Sequence, residues 1–219
     1  MELITIIIGL MGFFYYKIYT QFWSFLRESP PAFFVILLFT IFFGSYYPFI
    51  LDHFGYYVPT VKWLSEFGLV KGISNLDPTL GQMSAWHVLQ AGFSNFSDPF
   101  LRLNTVLLII YSIYIFEKKS WIHLVFLPFL FLFAQSPSPD LPVIVLSLML
   151  LNEILNTNKN AILLFAFSAF VFFIKPTMIW LPIAVFLYAV MVLKSKITFI
   201  SLGIFILVLM SIKNILVFG

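Results

Sequence analysis

The chain has 219 residues, of which 62% are hydrophobic and 10% are charged, and its mean hydropathy is +1.04. Such a composition excludes an ordinary soluble domain and indicates a polytopic membrane protein, while the lack of cysteine excludes disulfides and thiolate chemistry. The net charge of +3 comes from basic residues scattered along helix ends rather than clustered, so no nucleic-acid partner is expected.

About eight apolar segments are predicted to be membrane-spanning helices. They cover residues 3–19, 33–51, 101–116, 121–135, 141–155, 161–175, 177–193 and 197–213. The expected fold class is therefore all-α, a polytopic transmembrane helical bundle that forms a single module. The first segment lacks the basic start and the small-residue cleavage site of a signal peptide, so we expect it to be retained.

The charges that flank these segments predict the orientation of the chain in the membrane. With the N-terminus outside, the inner loops carry an excess of lysine and arginine, and the outer side carries a slight excess of acidic residues. This arrangement follows the positive-inside rule. It places a long loop, from about residue 52 to residue 100, on the outer side.

The outer loop contains two predicted amphipathic helices that lie on the membrane surface. In the first, "YVPTVKWLSEFG", Pro59 suits the first turn and Gly68 suits the C-terminal end. Its apolar stripe consists of Val58, Val61, Leu64 and Phe67. The second begins with Asp77 as N-cap and Pro78 at the first helical position. Its inward residues are Leu80, Met83, Trp86 and Leu89.

Asp52 directly follows the apolar segment 33–51, so we expect it at the membrane interface. A carboxylate in this setting of reduced dielectric can act as a general base. The alternative, which position alone favours, is that Asp52 simply ends a helix in water. We interpret His53 as an interfacial polar residue, and Tyr56 and Tyr57 as members of the aromatic belt.

Residues 45–219 contain a pattern of spaced residues and short motifs beyond these helices. In the outer loop the pattern consists of Asp52, Gly55, Tyr57, Lys62, Trp63, Glu66, Gly68, Gly72, Asn75, Leu76, Ser84 and Trp86. Further along the chain, "SPSPDLP" occupies residues 136–142 and "SIKNILVFG" occupies residues 211–219. This pattern resembles a bacterial family of polytopic proteins. Together with an acid after an early span, it is similar to the GT-C superfamily of membrane glycosyltransferases, which includes protein O-mannosyltransferases and aminoarabinose transferases.

The resemblance implies an enzyme of the bacterial inner membrane whose site faces outside. Such enzymes take a sugar from a polyprenyl-phosphate-linked donor and transfer it to a hydroxyl of a glycan, lipid or protein acceptor. In the matching position, Asp52 is the expected general base, which deprotonates the acceptor while the lipid phosphate leaves.

A phosphate leaving group needs cations at the same face of the bilayer. Three cations lie at predicted outer ends of spans, namely Arg102, Lys175 and Lys213. For any one of them taken singly, we favour the alternative that it is an anchor that snorkels to the interface. Lys175 is the preferred phosphate ligand, because Pro176 interrupts the helix beside it.

Five further residues are candidates for substrate binding, namely Tyr57, Lys62, Trp86, His87 and Asp140. For Trp86 and His87, which could contact sugar or lipid, we favour packing of the second interfacial helix. Asp140 either caps the helix that follows it or serves as a second outward acid, which orients the acceptor or holds a divalent metal ion. No other cofactor is expected.

Two features depart from the superfamily plan. The span before residue 20 is additional, and the chain stops at "KNILVFG", so we expect an N-terminal fragment of a longer protein. Three other functions stay open. A polysaccharide polymerase or lipid-linked ligase would carry an arginine-rich loop late in the chain. A transporter or flippase would show midplane charges or inverted repeats. A non-catalytic membrane subunit would need none of these features.

Overall fold

The computed structural model describes residues 2–72, 84–156, 160–192, 208 and 211–212. In this part of the chain all regular structure is helical and no strand occurs, which confirms the all-α prediction. The chain forms two compact units. Unit 1 comprises Met1–Ser65 and Leu89–Ser138, and unit 2 comprises Glu66–Val88 and Pro139–Gly219.

Unit 1 contains four longer helices and a series of short turns. The longer helices are α1 (Glu2–Tyr15), α2 (Ile18–Glu28), α3 (Pro31–Ser45) and α6 (Leu103–Lys118). After α6 come a 3₁₀ segment (Trp121–Phe126), the short helix α7 (Leu127–Leu130) and a 3₁₀ turn (Phe131–Phe133). Two further helices, α4 (Val58–Phe67) and α5 (Ala85–Ala91), contain the boundaries between the units.

The core of unit 1 is the antiparallel contact between α3 and α6. At one end, the rings of Phe33 and Phe116 meet edge to face with 5.4 Å between their centroids. At the other end, Gly44 brings the α3 backbone against the side chain of Thr105, because a Cβ atom at position 44 would clash with it. The absence of a side chain at Gly44 therefore sets how closely the two helices approach.

The first predicted span, 3–19, is wrong at its C-terminal end. Helix α1 ends at Tyr15, and Lys17 takes the left-handed conformation with φ 52°, so the chain turns by 68° into α2. Helix α2 was not predicted, because the sequence segment 20–28 is too polar to be recognised as a span. Because residues 3–19 are mostly apolar, hydropathy predicted one continuous helix there and did not indicate the bend at Lys17.

The predicted spans 33–51 and 121–135 also differ from the observed helices, and proline is the reason in each case. Helix α3 stops at Ser45, since Pro48 cannot donate a helical hydrogen bond and disfavours helix at the residue before it. In the second segment, Pro128 lies in the first turn of α7, and the flanking residues form 3₁₀ turns instead of one continuous helix.

Unit 2 contains α8 (Asp140–Leu155), α9 (Ala161–Ile174) and α10 (Trp180–Met191), and α9 packs against both of the others. The buried side chains of Leu150, Leu164 and Val185 form part of its core. The predictions 141–155, 161–175 and 177–193 agree with these helices to within three residues. The last predicted span, 197–213, lies almost entirely outside the described residues.

Within the described part of the chain, no helix taken singly is both long and apolar enough to cross a bilayer. Helices α1 and α2 satisfy the criteria of length and hydropathy only as a pair, and the chain bends by 68° between them. The eight-span bundle stays a prediction.

Candidate functional site

The clearest charged site is an ion pair in unit 2 between Asp140 and Lys175. The Lys175 Nζ atom lies 2.5 Å from Asp140 Oδ1, and the side chains are 42% and 35% exposed. Asp140 is the first residue of α8, whereas Lys175 directly follows the last residue of α9. Two residues predicted as separate candidates therefore form one site.

Pro176 explains why Lys175 occupies this position. A residue before proline is forced out of the helical region, and Lys175 is extended with φ −143° and ψ 105°. Residues Pro176–Met178 form a 3₁₀ turn before the chain resumes as α10 at Trp180. The predicted break beside Lys175 is confirmed.

Both helix ends favour the charges that they carry. The positive end of the α8 macrodipole stabilises the Asp140 carboxylate, and the negative end of α9 stabilises the Lys175 ammonium group. An ammonium group has three N–H donors, and Asp140 accepts from one of them. Lys175 is thus held in place by a carboxylate, and within the described residues its other N–H donors are left for a second anionic oxygen.

Asp52 is exposed and directly precedes a π-helical turn, His53–Tyr57. Within the described residues, no hydrogen bond to its carboxylate is found. Burial of Tyr56, aided by the nearby Tyr57 and Asp52, raises the pKa of the Tyr56 hydroxyl to about 12, so that group stays protonated at neutral pH. Short π-helical insertions occur often at functional sites, which is consistent with a role for this turn.

His53 has a more structured environment than the sequence suggested. Its side chain is only 7% exposed, and its Nδ1 atom lies 3.2 Å from the Ser136 hydroxyl oxygen. Burial, together with the nearby positive charge of Arg102, lowers the pKa of His53, which keeps the imidazole neutral at pH 7. No local signal could have shown this, because Ser136 is 83 residues away in the sequence.

Arg102 contacts the main chain of the same region. Its Nη1 atom donates to the Gln135 carbonyl oxygen at 2.5 Å, and its backbone N–H donates to Asp98 Oδ1 at 2.8 Å. Asp98 also accepts from Gln90 Nε2 at 2.6 Å through its other oxygen. The preceding residue, Leu101, is buried with φ 57°, a left-handed conformation that is unfavourable for leucine.

Asn104 and Thr105 complete a set of donors to the irregular segment 134–138. Asn104 Nδ2 donates to the carbonyl oxygens of Ser136 at 2.5 Å and of Ser138 at 2.9 Å, and Thr105 Oγ1 donates to that of Ala134 at 2.9 Å. We call Arg102, Asn104, Thr105 and segment 134–138 the loop clamp. The three side chains of the loop clamp donate hydrogen bonds to buried carbonyl groups of segment 134–138. These carbonyl groups lie in an irregular segment, where helical hydrogen bonds do not pair them.

The whole chain, residues 1–219, matches the family model described as Domain of unknown function (DUF8201). The chain belongs to this family. No curated protein and no solved structure shows a significant match. The ion pair and the loop clamp are features of this DUF8201 domain.

The remaining predicted residues of this DUF8201 domain differ in exposure. Lys62 is exposed on α4, whereas Tyr57 is buried. Trp86 and His87 are buried in α5, which favours the packing interpretation for both. Lys213 lies outside the described residues.

The first predicted helix of the outer loop is present as α4, and its location at the membrane surface stays a prediction. Val61 and Leu64 are buried, although Phe67 of the predicted stripe is exposed. Gly68 follows the helix with φ 68°, a conformation that suits glycine at a helix C-terminus. The predicted start of the second helix, at Asp77, lies outside the described residues.

A metal site was left open by the sequence. Among the residues that the structure describes, no group of three or more His, Asp or Glu side chains is placed to hold a metal ion. Asp140 pairs with Lys175, so its carboxylate is positioned toward a cation of the protein itself.

Proposed function

We propose that this DUF8201 domain is a membrane-embedded glycosyltransferase, which transfers a sugar from a polyprenyl-phosphate-linked donor to an acceptor hydroxyl on the outer side of the bacterial inner membrane. The observation that carries the proposal is the Asp140–Lys175 pair at the break between α9 and α10. It supplies a cation that is oriented by a carboxylate, partly exposed, and surrounded by apolar helices.

The apolar surface supports a location in the membrane. On α3, Leu38 is 67% exposed and Phe42 is 55% exposed, and α1 exposes long apolar side chains such as those of Ile8 and Met11. Soluble monomers rarely expose large contiguous apolar patches, and contact with a membrane is one of the situations in which such patches occur. The hydrocarbon region of the membrane is the environment that suits these helices.

Contacts within each unit are compatible with the predicted orientation. In unit 1, the Glu2 carboxylate accepts from the backbone N–H of Ser97 at 2.5 Å and of Phe96 at 3.0 Å. Desolvation opposes ionisation of Glu2, but these hydrogen bonds lower its pKa below the usual value. In unit 2, Asp140 meets Lys175. Each contact joins residues that the positive-inside rule assigns to the outer side.

The proposed chemistry divides between two residues. Lys175 donates to the lipid phosphate, whose negative charge grows as the bond between the sugar and the phosphate oxygen breaks. Asp52 accepts the proton of the acceptor hydroxyl, whose oxygen forms the new bond to the sugar carbon. Asp140 keeps the Lys175 ammonium group at the helix break, and so acts as a positioning residue.

Donor binding tests the role of Lys175. We expect Lys175→Ala to weaken binding of a polyprenyl-phosphate-linked sugar to the protein in lipid nanodiscs by about tenfold or more, since a charge-assisted hydrogen bond contributes about 1.5–3 kcal/mol. The matched control is Lys118→Ala, which removes a lysine on the predicted inner side. Equal binding by the Lys175 variant and the wild type would mean that this lysine only anchors the helix at the interface.

Sugar transfer tests the role of Asp52. We expect Asp52→Asn to abolish transfer while membrane insertion and donor binding persist, because asparagine cannot accept the proton. Near-normal transfer by this variant would remove Asp52 from the mechanism.

A further inference from the structure

Helix α2 separates its apolar and polar side chains cleanly. At about 100° per residue, its large apolar residues fall on one side of the helix and its polar residues on the other. The apolar set is Ile18, Tyr19, Phe22, Trp23, Phe25 and Leu26, and the polar set is Thr20, Gln21, Ser24, Arg27 and Glu28. No residue of α2 is buried, and Trp23 is 60% exposed.

The direction of α2 is fixed at both ends. At its start, Thr20 Oγ1 donates to the Lys17 carbonyl oxygen at 2.7 Å, next to the left-handed Lys17. At its end, Ser29 Oγ donates to the Phe25 carbonyl oxygen at 2.8 Å, and the Phe25 ring packs edge to face on Phe33 with 5.0 Å between centroids. The 68° bend is therefore a defined feature of the fold.

The length of α1 and the bend together place α2 relative to a bilayer. Helix α1 has 14 residues and is about 21 Å long at 1.5 Å per residue. This length is shorter than a hydrocarbon core of about 30 Å, and a bilayer accommodates such a short span by local thinning, which brings the inner headgroup region to the start of α2. If α1 runs near the membrane normal, the 68° bend leaves α2 at 90 − 68 = 22° from the membrane plane. An amphipathic helix in that orientation can place its apolar side in lipid along its length.

We propose that α2 lies in the headgroup region of the inner leaflet and binds anionic phospholipid. Its exposed apolar residues, above all Phe22 and Trp23, enter the boundary of the acyl chains. Lys17 and Arg27, at the two ends of the helix, face lipid phosphates, as interfacial basic residues do. This inference rests on the membrane location proposed above and assigns a lipid partner to a helix that the sequence did not reveal.

The experiment uses the full chain, which has no cysteine, so that single cysteines can be introduced for spin labelling. Phe22→Cys and Gln21→Cys lie about 100° apart on α2, the first on its apolar side and the second on its polar side, and form a matched pair. Ile8→Cys on α1 is the membrane reference. Each protein is labelled in vesicles of phosphatidylethanolamine and phosphatidylglycerol, and collisions with oxygen and with a water-soluble nickel complex are measured.

We expect the label at position 22 to collide with oxygen several-fold more than with nickel, and the label at position 21 to show the reverse. Raising the phosphatidylglycerol content should deepen the label at position 22 in the wild-type background but not with Lys17→Gln and Arg27→Gln. A lack of response to phosphatidylglycerol in the wild-type background would overturn the anionic lipid partner.

Each other outcome has one meaning. Equal accessibility at positions 21 and 22, with position 8 in lipid, would overturn the inference about α2 and leave the membrane location intact. Water exposure at position 8 would overturn the membrane location itself. Spin–spin broadening at position 22 that disappears on dilution with unlabelled protein would show that a second copy of the chain covers this face, which also overturns the inference.

Discussion

Gly44 lies where α3 approaches α6 most closely, and its replacement by alanine tests that contact directly. The new Cβ would lie under 3.0 Å from Oγ1, Cγ2 and Cβ of Thr105. Overpacking of this kind costs about 1–3 kcal/mol. Displacing Thr105 would also weaken its hydrogen bond to the Ala134 carbonyl oxygen, worth about 1 kcal/mol. The higher helix propensity of alanine compared with glycine offsets up to about 1 kcal/mol of this loss of stability.

These contributions predict a net loss of about 1–3 kcal/mol in the free energy of unfolding. For a chain of this size, the loss corresponds to a fall of roughly 2–12 °C in the melting temperature. The measurement is thermal unfolding of the purified protein in detergent, followed by tryptophan fluorescence.

The chain offers a matched control at Gly12 in α1, where an added Cβ would meet nothing within 4 Å. Gly12→Ala should therefore be neutral or slightly stabilising. Thr105→Ala combined with Gly44→Ala should cost less than the sum of the two single changes, because Thr105→Ala removes the two closest atoms, Oγ1 and Cγ2. If Gly44→Ala and Gly12→Ala have the same melting temperature, α3 and α6 do not meet as described.

Three further predictions follow from the polar contacts. Asn104→Ala should lower the free energy of unfolding by about 1–3 kcal/mol, measured in the same unfolding assay, since buried carbonyl groups of segment 133–138 lose their donor. The pKa of His53 is lower in the folded chain than its ordinary value of 6.5, so the unfolded chain binds more protons below that pH and stability should fall as the pH drops through 6.5. His53→Asn should flatten this part of the curve of melting temperature against pH, and an unchanged curve would contradict the assigned environment. Asp140→Asn should change stability by less than about 1 kcal/mol, because the pair with Lys175 is partly exposed, yet it should weaken donor binding in nanodiscs.

The parts of the fold that the sequence predicted correctly carry local signals. Pro176 marked the break after α9, and Pro59 with Gly68 marked the two ends of α4. Each signal acts through the conformation of its own residue or of a direct neighbour. Hydropathy alone misplaced the ends of α1 and α3, because apolar side chains continue past the point where the backbone leaves the helix.

The parts of the candidate site that were missed depend on contacts between distant residues. Arg102 and Asn104 bind a segment about 30 residues later in the chain, and His53 meets Ser136. Asp140 and Lys175 were both recognised as candidates, but their pairing arises from the packing of α8 on α9. A single sequence does not indicate which polar groups that are distant along the chain will contact each other.

The π-helical turn at His53–Tyr57 also controls the rotational phase of α4. A π-helical turn accommodates one residue more than an α-helical turn, and each residue of an α-helix rotates the chain by about 100°. Deleting one residue from this turn would keep nearly every side chain of the chain. It would nevertheless rotate α4 by about 100° relative to Asp52, so that Val61 and Leu64 would leave their buried positions. The number of residues in this turn, more than their identity, therefore determines which side of α4 is covered.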